Sequence, residues 1–158
     1  MSAPEMDSLV PSFVVFHVGT RRVALPQECV AELIASPTLF SFPHTTPLIT
    51  GVALRRGRIV PVLDLGPGLL GAPSPTARFF LVADRRIANT SERCAIPVQG
   101  ECELVAGIML PPLRVEDDSI SGCLDINGDL VDVLDLERTI ANSARIKADA
   151  VSRAEAIS

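Results

Sequence analysis

A mainly β chain built from two related halves is what the sequence predicts, and three observations carry that prediction. The stretch Gly51 to Leu65, GVALRRGRIVPVLDL, has the form of a β-hairpin. An apolar strand, Gly51 to Leu54, meets a polar turn, Arg55-Arg56-Gly57, and returns through β-branched residues that fit a pleated, half-buried surface. The hairpin then recurs: seventy-one residues later GCLDINGDLVDVLDL, from Gly122 to Leu136, keeps both glycines and the closing Val-Leu-Asp-Leu in register. Finally, 47% of the 158 residues are hydrophobic, enough to bury a core in one compact domain or two small subdomains.

The elements follow in order. Met1 to Pro11 is polar, carries two prolines and reads as a loose tail. Phe13 to Val18 is a strand, Gly19-Thr20-Arg21 a turn and Arg22 to Leu25 the returning strand. Pro26 suits the first position of a short helix or helical turn that runs into an extended segment, with Val30, Leu33 and Ile34 on one apolar side. Ser36 to Pro47 is a proline-punctuated loop delivering the chain to the central hairpin.

From Arg78 the plan repeats. Phe79 to Ala83 is a buried strand, Asp84 to Arg93 a polar hairpin loop and Cys94 to Val98 the return. Gly100 to Ile108 then parallels the piece around Val30, and Pro111 to Ser119 is a loop bearing Glu116-Asp117-Asp118. Asn127-Gly128 is the strongest hairpin signal in the chain, because a type I′ turn needs positive φ at both central residues. Glu137 to Ile157, with Ile140, Ala144, Val151 and Ala154 at helical spacings, predicts a C-terminal helix.

Composition excludes several functions. A net charge of −5, with neither Tyr nor Trp, argues against a nucleic-acid surface, which needs a basic stripe and stacking platforms. Cys29, Cys94, Cys102 and Cys123 form no C-x-x-C pair, and His17 and His44 lack ligand spacing, so free thiols in a reducing cytoplasm are expected and zinc is not. The charge-free run Leu33 to Leu54 is broken by Pro37, Pro43 and Pro47, which argues against direct membrane insertion.

Motifs that suggest chemistry fail on context. Gly66-Pro-Gly-Leu-Leu-Gly71 is a literal G-x-G-x-x-G, but Pro73 and Pro75 leave no room for the crossover helix of a dinucleotide site. Asp125, Asn127 and Asp129 lack the sixth-position glycine and twelfth-position glutamate of a calcium loop. Asp64 and Asp135 close the two hairpins, where a turn or helix-cap role is favoured. With no nucleophile, Walker or metalloprotease motif, no cofactor or enzymatic activity is expected, and a binding scaffold using sheet edges and an apolar groove remains.

One family resemblance covers most of the chain, from about Ser12 to Ala141. Phe13-Val14-Val15-Phe16, Gly19, Ala24-Leu25-Pro26, Val30 and Glu32-Leu33-Ile34 lead into Arg56-Gly57-Arg58-Ile59-Val60-Pro61-Val62-Leu63-Asp64-Leu65, and the second copy closes in Val133-Leu134-Asp135-Leu136-Glu137. This pattern resembles the CheW-like domain family. The resemblance implies two five-stranded SH3-like barrel subdomains around a shared core, with short helices and a C-terminal helix. In that division 1–11 is a tail, 12–141 the domain and 142–158 a C-terminal helix or tail.

The function implied is a non-catalytic adaptor of a bacterial chemosensory array, joining the cytoplasmic tip of a chemoreceptor to the regulatory domain of a CheA-type histidine kinase, with other CheW-like proteins as further partners. Its partner-binding surface would comprise Val30, Glu32, Leu33, Leu54, Arg55, Arg56 and Gly57. The chain departs from the family pattern at Leu54-Arg55, at Gly66-Pro67-Gly68, where a short basic helix is usual, and in a short Val98–Gly122 segment. These departures suggest an alternative, an accessory protein of the FrzB kind that binds receptor without coupling to kinase. A small-ligand or enzymatic module is the alternative of another class, and it predicts a closed pocket gathering Cys, His and Asp side chains.

Overall fold

The computed structural model describes residues 10–41, 48–87 and 90–142. Its elements are β1 (Ser12–Val18), β2 (Arg21–Pro26), a 3-10 turn (Gln27–Cys29), β3 (Val30–Ala35), β4 (Leu39–Phe40), β5 (Ile49–Arg55), β6 (Arg58–Leu63), α1 (Gly66–Leu70), β7 (Phe79–Ile87), β8 (Thr90–Ala106), β9 (Ile120–Ile126), β10 (Asp129–Leu134) and α2, helical over 136–142. The mainly β reading holds. Residues 1–9 of the expected N-terminal tail, 42–47 of the expected loop before β5 and the C-terminal helix beyond 142, with Ala144, Val151 and Ala154, lie outside the described residues.

The two halves do not each make a barrel; they exchange strands. β1 and β2 pair with each other, then with the distal part of β8 on one side and β10 on the other, and β10 pairs β9. This first barrel takes its initial hairpin from one repeat and its remaining strands from the other. The second barrel is the converse: β7 and the proximal part of β8 pair with β3 and β6, and β6 with β5. β8 runs through both barrels, and its change of partner is marked by Gly100 at φ +74° and a register shift opposite Val15 and His17.

The repeat is nonetheless kept in atomic detail. Val62 lies beside Ala95 in one parallel junction, and its equivalent Val133 beside Ala24 in the other. The amide of Asp64 donates to Leu48 O at 2.7 Å, and that of Asp135 donates to Ser119 O at 2.7 Å. Gly51 and Gly122 each face a closely approaching backbone, that of β4 and that of the isolated bridge at Leu110: an added Cβ would lie 2.9 Å from Phe40 O or 2.4 Å from Leu110 O. Both glycines in the duplicated motif are therefore explained, the first of each pair by close approach and the second by its turn.

Three apolar clusters follow from strand alternation. Phe13, Val15, Ala24, Leu124, Val131 and Val133 fill the first barrel, and Ala53, Val60, Val62, Phe80 and Ala95 the second. Between them the opposite faces of the same strands, with Phe16, Val18, Leu25, Leu81, Ile96 and Val98, form a shared central core. Burial on both faces is why FVVFHV and FFLVA read as continuous apolar runs instead of alternating ones.

Two expected elements differ. Only Gln27–Cys29 is helical after Pro26; Val30 onward is a strand, so Val30, Leu33 and Ile34 do not share a side. β-branched Val and Ile on a ladder with β7 outweigh the weak helical pattern. The segment 84–93 is not a loop, since β7 and β8 stay paired out to Ile87 and Thr90. After β6, Gly66–Leu70 closes one helical turn with Pro67 in its first turn and Gly71 at φ +74° ending it. It is too short to cross back over a sheet.

Candidate functional site at the mouth of the second barrel

The β5–β6 turn has two residues, because Arg55 pairs directly with Arg58. Arg56 and Gly57 take φ of +51° and +76°, and Asn127 and Gly128 of the second copy +53° and +90°. Both connections thus meet the positive-φ requirement of a type I′ turn. A two-residue turn fixes the side-chain directions. Leu54 and Ile59 share the outer face, while Arg55 and Arg58 continue the inward face of Ala53 and Val60.

The same alternation places Asp84 and Arg93 beyond Phe80 and Ala95, and Glu32 beyond Ile34. Five charged side chains therefore ring the open end of the second barrel. Arg55 donates from Nε to Glu32 Oε1 at 2.9 Å and from Nη2 to Oε2 at 3.1 Å, a two-bond fork. Hydrogen bonding from Arg55, ahead of its charge, holds the Glu32 carboxyl below its usual range, and the same bond raises Arg55. Arg93 Nε lies 3.3 Å from Asp84 Oδ1. Arg56, on the turn, is 74% exposed and reaches Glu32 Oε2 only at 4.0 Å.

On the flank, Leu33, Phe40 and Leu54 border a shallow groove of about 530 Å³ that ends against Arg55. Leu33 is 46% exposed and Leu54 53%. Of the seven residues singled out in the sequence, Leu33, Leu54, Arg55 and Arg56 meet at this groove and rim, and Glu32 anchors Arg55 beneath them. Gly57 shapes the turn. Val30 does not join them: a register shift between Val30 and Glu32 turns its side chain onto the central core. The sequence pattern does not single out Arg58, Asp84 and Arg93, because it puts Arg55 inside the turn and 84–93 in a loop, whereas Arg55 pairs with Arg58 and Asp84 with Arg93.

Cys29 and Cys102 have thiol pKa values raised, chiefly by burial, which disfavours the thiolate needed for nucleophilic attack. All four cysteines are free. Among the described residues no three His, Cys, Asp or Glu side chains are grouped to hold a metal ion. Asp64 and Asp135 are structural: Asp64 accepts from the amides of Gly66 at 2.8 Å and Ser74 at 3.2 Å, and Asp135 accepts from the Arg138 amide at 3.1 Å, capping α2. Among the described residues no helix is long and apolar enough to cross a membrane.

The family model for the CheW-like domain matches residues 12–144. The chain belongs to the CheW-like domain family. Members are non-catalytic scaffolds of chemotaxis signalling. Protein FrzA of Myxococcus xanthus is 42% identical over 53 residues, covering 34% of this chain and 33% of FrzA, so the alignment spans about a third of that curated relative. The crystal structure of the scaffolding protein TtCheW from Thermoanaerobacter tengcongensis superposes with a TM-score of 0.68 at 19% identity, covering 80% of this chain and 85% of that one. The shared fold is the paired SH3-like barrel arrangement that the family resemblance implies.

Proposed function

We propose that this CheW-like protein is an array adaptor that joins the cytoplasmic tip of a chemoreceptor to the regulatory domain of a CheA-type histidine kinase. One observation supports this reading above the others: the exposed Arg56 of the β5–β6 turn follows directly on Arg55, against which an apolar groove of Leu33, Phe40 and Leu54 ends. Leu and Phe supply area that excludes water, and Arg supplies a planar donor fork at the rim. The test is a pull-down with purified receptor tip and kinase regulatory domain, separately and together, comparing wild type with Arg56→Glu. Retention of both partners by the wild type, with one lost in the variant, is the expected result; retention of neither overturns the reading.

An accessory role, binding receptor alone, is a second reading. It is favoured by α1, whose sequence Gly-Pro-Gly-Leu-Leu carries no basic residue where the family usually has them. In the same pull-down it predicts receptor retained and kinase domain absent.

A further inference from the structure

Between the β5–β6 tip and the β7–β8 hairpin, beyond the single β6–β8 pairing at Val62 and Ala95, lies a concavity of about 830 Å³ lined by Arg55, Arg56, Arg58, Arg93, Ile59 and Pro61. Two of its guanidinium groups are already matched, Arg55 by Glu32 and Arg93 by Asp84. Arg56 and Arg58 outnumber the one further carboxylate on the rim, Glu92. Arg58 has no carboxylate partner among the described residues. A surplus of arginine held around a hollow, on a chain of net charge −5, is a local reversal of the molecule's own field. The apolar wall matters equally, because Ile59 is 72% exposed.

We infer that the mouth of the second barrel docks an acidic segment of a partner protein, one whose Glu or Asp side chains alternate with aliphatic ones. The carboxylates meet Arg56 and Arg58, and the aliphatic residues cover Ile59 and Pro61. Pairing with Glu32 and Asp84 restrains Arg55 and Arg93 as a preset rim, so docking requires little reordering of those long side chains. The inference rests on the adaptor reading in assigning the segment to a signalling partner, but its site and chemistry stand on the mouth alone.

The probe is a fluorescent peptide alternating Glu and Leu, titrated with the full chain, beside a control peptide with Gln for every Glu. Binding of the Glu peptide alone is expected, weakened about tenfold by Arg58→Glu and left unchanged by Arg114→Glu, which alters net charge equally on another loop. Equal binding of the Gln peptide, or equal loss with Arg114→Glu, overturns the inference. Peptide binding without any receptor or kinase complex would overturn the adaptor reading and keep the site. Partner complexes that ignore Arg58→Glu but fail with Leu33→Asp would keep the adaptor reading and remove the mouth.

Discussion

The two barrels end in mouths of matching backbone and opposed charge. In the second barrel the ring is Glu32, Arg55, Arg58, Asp84 and Arg93. In the first, the equivalent strand positions hold Glu103, Ile126, Asp129, His17 and Arg22, with one ion pair, Arg22 to Glu103 at 3.7 Å. The turns and the strand residues that follow them differ likewise: Arg56-Gly57 before Arg58 against Asn127-Gly128 before Asp129. Both hairpins keep the residues that fold requires, namely two glycines, a buried valine pair and a closing aspartate. The residues free to vary have separated into a cationic end and an anionic end, which is what specialisation of duplicated surfaces predicts once the scaffold is fixed.

The closing aspartates provide the largest expected contrast. Asp64 is buried and accepts amides from both ends of the loop after β6, so Asp64→Ala leaves buried donors unmatched and should cost about 2–3 kcal/mol in urea unfolding. Asp135 caps one helix end, and Asp135→Ala should cost about 1 kcal/mol. Equal losses would show that the two closures are interchangeable, contrary to their geometry.

A smaller effect is expected at the turns. Arg56 holds positive φ, which asparagine tolerates better, so Arg56→Asn should raise stability by about 0.5 kcal/mol and Asn127→Arg should lower it similarly. A thermal melt of the two variants checks the sign. If both changes are destabilising, Arg56 makes a contact in the isolated protein that outweighs its backbone strain.

The smallest effect concerns pH. Glu32 has a folded-state pKa below its unfolded value, so its pairing stabilises the fold fully above the ordinary carboxylate range, near pH 4.5, and the gain is lost as pH falls through the lowered value. Glu32→Gln should flatten that part of the stability profile. Denaturant midpoints between neutral and acid pH measure it, and an unchanged slope would mean that the Arg55 fork adds nothing to folding.

Much of the fold was legible because the duplication fixed strand, turn and register together. Asn127-Gly128 specified its turn outright, and the same reading transferred to Arg56-Gly57 would have placed Arg55 and Arg58 across from each other. The exchange of strands between halves was not legible, since a repeat says which segments are alike and not which of them pair. The register shift that sends Val30 inward was hidden for a related reason: period-two alternation fails at a bulge, and no glycine or proline marks this one. Asp84 and Arg93 do not stand out in the sequence as rim residues, because only the strand pairing of Ala83 with Cys94 sets them across from each other.

An arginine-bearing mouth distinguishes the second barrel from an otherwise equivalent first. The most direct measurement gives the first hairpin the turn of the second, by Arg56→Asn with Arg58→Asp, and compares retention of the receptor tip and kinase domain with that of the wild type. The expected result is an unchanged circular dichroism spectrum and a thermal melt no lower than that of the wild type, since Asn-Gly suits the turn, together with loss of a partner that the wild type retains. A variant that folds and holds every partner as the wild type does would contradict it.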